Sequence, residues 1–499
     1  MFDKVILSRF VTSVSRFPDR NAFCINETFH TYHELWNLIG KIRTQLDEFN
    51  IVNKRIGLVA NDDLYTYASI FAAWMEGMAY VPLHPKQPLE RNLEVISQAE
   101  LLFVLDSGSD RIFDSVTTVD TKASEPLAPK TDEISVGDDA LAYILFTSGS
   151  TGKPKGVPIT RGNLATFMAV FLNTDITLDE NDRCLQCFDL TFDISVQCYL
   201  TPLLHGACVY TVPHDQIKFT YVYGLLDDHE LTFGVLAPSM IHHLRPYFEE
   251  IHLEKLQYCL LVAEATPIDL IREWFDHIPN ARVFNFYGPT EATIYCVSYE
   301  AKRHEKLKEA NGMLAIGRPF EGTDAVILDE NAQIAGKGVK GEMYVSGNQV
   351  TTGYWKNPEK NAEAFKILEY KGKSQIFYKT GDLCMEDEDG DILYYGRLDY
   401  QVKIQGYRIE LGEIEFYARE AIGGRNAVAF VYEGQGGSKQ IALSLETDSF
   451  DEKEVITHLN TKLPAYMLPS KMFNVEKFPL NTSDKVDRKQ IAAVWKERK

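Results

Sequence analysis

The stretch Thr147–Gly156 combines the residue types that bind phosphate. It reads Thr-Ser-Gly-Ser-Thr-Gly-Lys-Pro-Lys-Gly and follows an apolar run, Leu141–Phe146, that is typical of a buried strand. Glycine lets backbone N–H groups approach a ligand, hydroxyls donate hydrogen bonds, and lysines supply positive charge. The candidate phosphate-binding residues are Thr147, Ser148, Gly149, Ser150, Thr151, Gly152, Lys153 and Lys155.

This loop is not a Walker A loop. Only two residues separate Gly149 from Gly152, whereas the Walker motif has four between its first glycine and Gly-Lys. Pro154 follows Lys153 and disfavours a helix at that point. A flexible Gly/Ser/Lys linker is the alternative, but the preceding strand anchors the segment.

A second motif, Val283–Glu291, reads Val-Phe-Asn-Phe-Tyr-Gly-Pro-Thr-Glu and predicts a strand that breaks at Gly288. It offers an aromatic face for a purine, an amide for the base edge, a hydroxyl for a phosphate and a carboxylate for Mg²⁺, which prefers oxygen ligands. Tyr287 supplies the aromatic face, and Asn285 supplies the amide. Thr290 supplies the hydroxyl, and Glu291 supplies the carboxylate. An accidental polar turn is the alternative.

Two carboxylates interrupt the apolar segment 184–204, at Asp189 and Asp193. Burying a carboxylate without a partner is costly, so each needs an explanation. We interpret Asp189 as the cap of a turn and Asp193 as a ligand for a positively charged group.

These motifs resemble those of the adenylate-forming superfamily, which includes acyl-CoA synthetases, luciferases and the adenylation domains of nonribosomal peptide synthetases. The resemblance covers nearly the whole chain and includes Tyr378–Asp382, Gly396–Asp399 and Ser483–Lys489. It implies that ATP and Mg²⁺ are used, and that the loop holds the β- and γ-phosphates. Further implied roles are ribose binding for Asp382, ribose or phosphate binding for Arg397, Mg²⁺ binding for Glu291, and catalysis for Lys485, assisted by Thr290 and Glu291.

The sequence departs from the family pattern at several positions. His84 stands where Asp or Asn is usual, Gln405 where many peptide synthetases have arginine, and Ala263 where glycine is usual. Asp484 replaces a common glycine beside the catalytic lysine, which indicates a differently shaped loop there. We interpret His84 as a structural residue.

The segment Phe192–Ser195 resembles the signature of amino-acid-activating members, in which the Asp pairs with the α-ammonium group of the substrate. The resemblance places the substrate pocket, in addition to Asp193, at Ile194, Gln197, Val235, Leu260, Val262, Phe286, Ile294 and Tyr295. This set is mostly apolar and includes two bulky aromatic residues, so it favours a small or medium uncharged side chain. D-Alanine is the leading candidate, because Glu264 and Pro267 resemble D-alanine–carrier-protein ligases.

Two other functions stay open. An acyl- or aryl-CoA synthetase would need a cation other than the substrate beside Asp193. A binding or scaffolding relative would keep the fold without turnover, although the presence of Lys485, Glu291 and Asp382 argues against it.

The chain is expected to form an α/β protein of two domains, residues 1–398 and 399–499. Helices alternating with short apolar strands predict layered parallel α/β subdomains in the first half. Short strands with glycine turns from Ile316 onward predict a β-rich subdomain. By resemblance Asp399 is a hinge, followed by a small mobile α+β domain that carries Lys485. No carrier motif ends the chain, so we expect a carrier protein with a phosphopantetheine thiol, or coenzyme A, to bind in trans.

Composition excludes several function classes. The 499 residues carry a formal net charge of -20, which argues against nucleic acid or an anionic membrane as the main partner. No run approaches the ~20 apolar residues of a membrane span, and no secretory signal is recognised, so a cytoplasmic location is expected. The C-x-x-C pair Cys184 and Cys187 has no second pair for zinc, and we interpret both as core residues.

The remaining expectations concern local structure. His242 and His243 are predicted on a helix, without a metal role because adjacent helical residues point apart. The proline-rich segment Ala79–Arg91 is predicted as a rigid crossing without regular structure, and 107–138 as a polar connection.

Overall fold

The computed structural model describes residues 1–49, 54–108, 113, 115–123, 130, 136–149, 152–214, 216–434, 437–479 and 486–497. The chain divides into two compact units. The first contains Met1–Pro85, Gln98–Leu145 and Gly156–Leu398, and the second contains Lys86–Ser97, Phe146–Lys155 and Asp399–Lys499. The predicted domains have the same boundary at 398/399, but the prediction placed Lys86–Ser97 and Phe146–Lys155 in the first domain. The roles of the two domains, as a core and a mobile domain, stay a prediction.

The helices have the following bounds: α1 (Ser8–Arg16), α2 (Tyr32–Asp47), α3 (Leu64–Met75), α4 (Leu89–Gln98), α5 (Arg161–Phe171), α6 (Ile194–Leu203), α7 (Lys218–Asp228), α8 (Pro238–Leu244), α9 (Ile268–Trp274), α10 (Pro358–Ala364), α11 (Leu411–Ala421), α12 (Glu452–Lys462) and α13 (Arg488–Glu497). His242 and His243 lie on α8, as predicted.

The strands up to the sixteenth are β1 (Asn21–Ile25), β2 (Thr28–Thr31), β3 (Arg55–Val59), β4 (Ala79–Leu83), β5 (Phe103–Asp106), β6 (Thr117–Asp120), β7 (Leu141–Thr147), β8 (Lys155–Thr160), β9 (Arg183–Gln186), β10 (Cys208–Thr211), β11 (Phe233–Leu236), β12 (Tyr258–Leu261), β13 (Arg282–Tyr287), β14 (Val297–Ala301), β15 (Glu309–Ala310) and β16 (Met313–Leu314). The later strands are β17 (Arg318–Pro319), β18 (Thr323–Leu328), β19 (Lys340–Gly347), β20 (Phe365–Tyr370), β21 (Lys373–Glu386), β22 (Ile392–Arg397), β23 (Gln401–Ile404), β24 (Tyr407–Glu410), β25 (Ala427–Glu433), β26 (Lys439–Glu446) and β27 (Lys471–Val475).

Two large sheets carry the first half of the chain. One has the strand order β17-β14-β13-β12-β11-β9-β10-β1-β2, and the other the order β6-β5-β3-β4-β7-β8. The pairings between β1 and β13 in the first sheet are parallel, and so are those of β3 with β4 and β5 in the second. The predicted α/β class is confirmed, because helices connect these strands as crossovers.

The β-rich part predicted from Ile316 onward is an antiparallel sheet. Its strands follow the order β18-β19-β21-β20, and β22 pairs with β21. In this pairing Asp382 lies directly opposite Arg397, so the sheet brings two predicted nucleotide-binding residues together.

Local sequence explains where two important helices begin. Thr31 accepts a hydrogen bond from the Glu34 amide, and the Glu34 side chain accepts one from the Thr31 amide, forming a capping box at the start of α2. Asp63 caps α3 with a single hydrogen bond, which its side chain accepts from the Thr66 amide. α3 is apolar along nearly its whole length and is buried on all sides, and the Trp74 indole donates to the carbonyl of Ala142 at 2.8 Å.

The prediction that 79–91 lacks regular structure was wrong. Residues 79–83 form β4, paired with β3 along its length, and α4 begins at Leu89. β4 can contain Pro82, which has no N–H group to donate, because β4 pairs with β7 at Tyr80, before the proline. The segment 107–138 also contains a strand that was not predicted, β6, which pairs with β5.

The second unit is smaller. Its C-terminal part holds the hairpin β23–β24, followed by α11 and the three-stranded sheet β25-β26-β27. The hairpin leads directly into α11, which fits the α+β class predicted for this part of the chain. Ile409, Ile414 and Leu443 are fully buried in the core of this unit.

Within the described residues, no helix is long and apolar enough to cross a membrane.

Candidate active site

The carboxylate of Asp193 is buried without a full set of partners. Asp193 precedes the first residue of α6, its side chain is only 6% exposed, and within the described residues Oδ2 has no hydrogen-bond partner. Burial raises its pKa to about 6, an effect that hydrogen bonding from Thr290 partly opposes and the nearby charge of Glu291 increases. A cationic ligand is the group that this environment lacks.

A strained turn brings Thr290 and Glu291 next to Asp193. Thr293 and Ile294 have φ values of +54° and +72°, which β-branched residues rarely adopt. Such conformations cost on the order of 1–3 kcal/mol each and persist only where the surroundings impose them. Gln349 imposes this one, since its side-chain amide donates to the carbonyls of Ala292 at 2.8 Å and Tyr295 at 2.6 Å.

Gly288 permits the close packing of this turn. A Cβ at this position would lie 2.4 Å from the carbonyl oxygen of Ile294 and 2.6 Å from Cα of Tyr295. Both atoms belong to the backbone and cannot move away as a flexible side chain would. The glycine of the Tyr-Gly-Pro motif is thus required by packing.

Glu291 is fully buried, and the Tyr354 hydroxyl donates to its Oε1 at 2.7 Å. Its backbone carbonyl accepts a hydrogen bond from the Thr351 amide at 2.8 Å. Two buried carboxylates, Glu291 and Asp193, therefore share one region of the first unit. Their combined charge fits a site that receives a divalent metal ion together with a substrate ammonium group.

Three predicted nucleotide-binding residues, Tyr287, Asp382 and Arg397, form a connected group. The Tyr287 hydroxyl donates to Oδ2 of Asp382, and Arg397 Nη1 lies 3.1 Å from Oδ1 of the same carboxylate. Asn285, expected to contact the base, instead donates to the carbonyl of Ala315 at 2.9 Å and accepts from Thr266 at 3.0 Å. Contact between Asn285 and the base stays a prediction. These internal hydrogen bonds would compete with a hydrogen bond from Asn285 to the base.

All nine predicted substrate-pocket residues are buried in the first unit. They comprise Asp193, Ile194, Gln197, Val235, Leu260, Val262, Phe286, Ile294 and Tyr295. Neighbouring strands β11, β12 and β13 connect several of them, since Val235 pairs with Leu260. The rings of Phe286 and Tyr295 stack with centroids 5.1 Å apart, which fills space on one side of the group.

The predicted phosphate loop belongs to the second unit, where a glutamate occupies one of its donors. The Gly149 amide donates to Oε2 of Glu413 at 3.2 Å, and the Tyr417 hydroxyl donates to the carbonyl of Gly152 at 2.7 Å. Gly152 has a φ of +82° and packs against the Phe416 ring, which leaves no room for a Cβ. A carboxylate oxygen here accepts from an N–H group that can also donate to a phosphate oxygen.

The loop lysines also face carboxylates. Lys155 Nζ lies 3.6 Å from Glu410, and Lys153 Nζ lies 3.6 Å from Glu94 while remaining 75% exposed. An exposed pair of this kind contributes little to stability, so Lys153 can exchange partners readily.

The other polar residues of this loop are only partly described. Thr147 Oγ1 lies 3.5 Å from the carbonyl of Lys155, and Ser148 Oγ donates to the carbonyl of Arg408 at 3.0 Å. Three predicted residues lie outside the described part of the chain, namely Ser150, Thr151 and Lys485.

Sequence reasoning missed several residues that support the site. The hydroxyl of Tyr143 is buried near Asp193 and, within the described residues, has no hydrogen-bond partner. Gln349 and Tyr354 hold the Thr290–Ile294 turn and Glu291 from positions far along the chain. No spacing rule connects these residues to the motifs, so the sequence carried no signal for them.

The chain is similar to known proteins along nearly its whole length. A family model described as AMP-binding enzyme matches residues 10–355. The chain is 30% identical over 500 residues to tyrocidine synthase 1 of Brevibacillus parabrevis, covering 98% of this chain and 45% of that protein. It is 30% identical over 493 residues to a D-alanine–D-alanyl carrier protein ligase of Bacillus velezensis, covering 95% of this chain and 96% of that protein.

Solved structures share the fold. The Vibrio cholerae adenylation domain AlmE, in complex with glycyl-adenosine-5'-phosphate, matches with a TM-score of 0.84 and 22% identity over 98% of this chain and 97% of that one. An o-succinylbenzoate CoA synthetase from Bacillus subtilis matches with a TM-score of 0.83 and 22% identity over 97% of this chain and 98% of that one.

These findings define the class of protein. The chain belongs to the AMP-binding enzyme family, whose members are ATP-dependent adenylate-forming ligases. Within this family it is similar to the D-alanine ligase along nearly the full length of both proteins, whereas it spans less than half the length of the peptide synthases that it matches.

Proposed function

We propose that this protein activates an amino acid with ATP, forming the aminoacyl-adenylate and pyrophosphate, and then transfers the aminoacyl group to the phosphopantetheine thiol of a separate carrier protein. The substrate is D-alanine or another small or medium uncharged amino acid. The similarity to the D-alanine–D-alanyl carrier protein ligase supports both the substrate class and the carrier.

The observation that carries this proposal is the buried, incompletely paired carboxylate of Asp193. An α-ammonium group would supply the missing hydrogen bond and the compensating charge, and charge-assisted hydrogen bonds are the strong ones. A fatty or aryl acid would leave this carboxylate desolvated and unpaired, at a cost of several kcal/mol in order of magnitude.

The packing of aromatic rings among the proposed pocket residues supports a small substrate. Phe286 stacks on Tyr295 and also lies 5.9 Å, centroid to centroid, from Phe171. Close-packed aromatic residues leave little space for a long side chain without repacking of the core.

In the first half-reaction, the substrate carboxylate attacks the α-phosphorus of ATP, so the protein need not supply a nucleophile. The chain contributes positioning and charge stabilisation, as in phosphoryl transfer generally. Lys485 would contact the substrate carboxylate and the α-phosphate, and Thr147–Lys155 would hold the leaving pyrophosphate. Mg²⁺ bound through Glu291 would neutralise the charge that develops on the phosphates.

In the second half-reaction, the thiol attacks the carbonyl carbon of the adenylate, and AMP leaves. We propose that the region after Asp399 rotates about this residue, removing Lys485 and admitting the phosphopantetheine arm. Hinges of this kind are residues at the ends of elements that absorb a backbone rotation.

ATP–pyrophosphate exchange against a panel of D- and L-amino acids, short fatty acids and aryl acids tests the proposal. We expect exchange with one small amino acid, and then loading of a phosphopantetheinylated carrier protein with that residue. Exchange only with acids that lack an amino group would refute the amino-acid assignment.

The second candidate function is an acyl- or aryl-CoA synthetase. It is favoured by the fold similarity to the o-succinylbenzoate CoA synthetase, whose TM-score nearly equals that of the adenylation domain. Thioester formation with coenzyme A but not with a carrier protein would select this function.

A further inference from the structure

Three side chains of metal-ligating types follow the carboxyl ends of strands in the two large sheets, β4 in one sheet and β9 and β10 in the other. His84 comes directly after β4, Asp189 three residues after β9, and His214 three residues after β10. One ligand atom of each lies within 4.8 Å of those of the other two. The carboxyl ends of parallel strands are the usual location of ligand sites in α/β folds.

The hydrogen bonds of Asp189 direct one oxygen into this cluster. Its Oδ1 accepts from both the amide and the hydroxyl of Thr191, each at 2.9 Å, while Oδ2 lies 2.6 Å from Nε2 of His84. The carboxylate is therefore fixed in orientation, with Oδ2 directed at His84.

A hydrogen bond to the backbone also orients His214. Nε2 of His214 lies 3.1 Å from the backbone carbonyl of Ala60, a contact that requires Nε2 to carry the proton and donate. Nδ1 then holds the lone pair of the neutral ring. A histidine that ligates a metal almost always donates its other N–H to a carbonyl or a carboxylate in this way.

The surroundings include one further carboxyl group and one cation. Asp62 lies beyond the end of β3, where burial raises its pKa to about 7 and the Tyr67 hydroxyl donates to it. Lys218 is close enough to interact with Asp62 electrostatically. A further carboxyl group, that of Asp62, therefore interacts with Asp189, and the ammonium group of Lys218 lies near Asp62.

We propose that His84, Asp189 and His214 bind one divalent transition-metal ion of the Zn²⁺ class. Two imidazoles and one carboxylate are a common protein ligand set for zinc and leave one position for water or another ligand. Tetrahedral coordination places ligand atoms about 3.3 Å apart, a spacing that small side-chain rotations achieve from the observed cluster. The nitrogen ligands distinguish this site from the oxygen site of Glu291, which suits Mg²⁺.

A metal ion at this position would clamp three loops that are distant in sequence. It would also fix the turn in which the Phe192 amide donates to the carbonyl of Asp189 at 2.8 Å, one residue before Asp193. The alternative is an ordinary ion pair between His84 and Asp189, with His214 as a neighbour.

The experiment is a metal titration of the untagged full chain after dialysis against a chelator and in the absence of nucleotide. Co²⁺ serves as a spectroscopic probe, because its visible absorption is much stronger in four-coordinate sites than in water. Zn²⁺ binding is measured by calorimetry, and bound metal is counted after gel filtration. We expect one equivalent of metal and a melting temperature higher by about 3 °C at 100-fold excess over Kd.

Matched variants locate the site. We expect at least a 100-fold loss of affinity in His84→Ala, His214→Ala and Asp189→Asn, the last of which keeps an oxygen for Thr191. His242→Ala, on α8, should bind metal as the wild type does. Absence of binding by the wild type, or unchanged affinity in all three cluster variants, would overturn the proposal and leave the ion pair as the explanation. If the alanine variants fail to fold, the asparagine variant alone decides.

Discussion

Replacing Asp193 with asparagine should stabilise the ligand-free protein at neutral pH. The folded state raises the pKa of this carboxyl group from 3.8 to about 6. Because one pKa unit corresponds to about 1.4 kcal/mol, keeping the group ionised costs about 3 kcal/mol above pH 6. Asparagine has a similar shape and no charge, so the variant avoids this cost.

The sign of the pH dependence follows from proton binding. Between pH 3.8 and 6 the folded state binds the proton more tightly than the unfolded state, so this group destabilises the protein increasingly as pH rises through that range. Below about pH 4 the carboxyl is protonated in both states, and its destabilising contribution disappears. The advantage of the variant over the wild type is therefore full at pH 7.5 and shrinks as the pH falls below 6.

The assay is thermal unfolding of both proteins between pH 5 and 8, without substrate. For a unit of the size of the first one, 3 kcal/mol corresponds to a melting temperature higher by about 4 °C in Asp193→Asn. Asp19→Asn, an exposed position, is the matched control and should leave the melting temperature unchanged.

The same variant should lose amino-acid activation. Removing one partner of a buried charge pair costs about 2–5 kcal/mol, so we expect kcat/KM for exchange to fall by at least 30-fold while ATP binding is retained. A variant that is no more stable than the wild type at pH 7.5, and that still activates the amino acid, would refute the reasoning on Asp193.

Three further substitutions have defined outcomes. Lys485→Ala should lower the adenylation rate by about 10²–10³-fold in pyrophosphate exchange without changing the melting temperature, because this lysine is proposed to act on the developing charge alone. Gly288→Ala should destabilise the protein by about 1–3 kcal/mol in thermal unfolding, because its methyl group meets the backbone at Ile294. Tyr287→Phe should raise the KM for ATP, because Asp382 loses a buried hydrogen bond worth about 1–2 kcal/mol.

Each of these has a matched control. Lys477→Ala removes an exposed lysine of the same region, Gly336→Ala adds a methyl group where no atom lies within 4 Å, and Tyr247→Phe removes an exposed hydroxyl. Unchanged exchange in Lys485→Ala, an unchanged melting temperature in Gly288→Ala, or an unchanged KM in Tyr287→Phe would contradict the corresponding role.

Local patterns predicted much of the fold. The motif at 283–291 predicted β13 and its break at Gly288. The strand β4 was missed because Pro82 is unfavourable in most strands, and only the pairing with β3 and β7 shows why it is tolerated. Such tertiary compensation cannot be derived from a single segment.

The site was predictable where one residue conflicts with its own surroundings. Asp193 could be singled out because a carboxylate in an apolar segment needs a partner, and the structure confirms that it is buried. Two sets of hydrogen bonds were not predictable, since both join residues more than fifty positions apart. Tyr354 donates to Glu291, and Gln349 donates to the carbonyls of the strained turn. The contact between His84 and Asp189 also joins residues that are far apart in the sequence. The sequence analysis considered each of them separately and could not predict this contact.

Recognition of the substrate through its α-ammonium group is the proposal that most needs a direct test. The most direct measurement compares exchange kinetics for the preferred amino acid with those for the same acid lacking the amino group. Because loss of a buried charge pair is costly, we expect kcat/KM in the wild type to be at least about 100-fold higher for the amino acid. We expect Asp193→Asn to remove most of this difference. Equal kcat/KM for the two acids in the wild type would contradict this proposal.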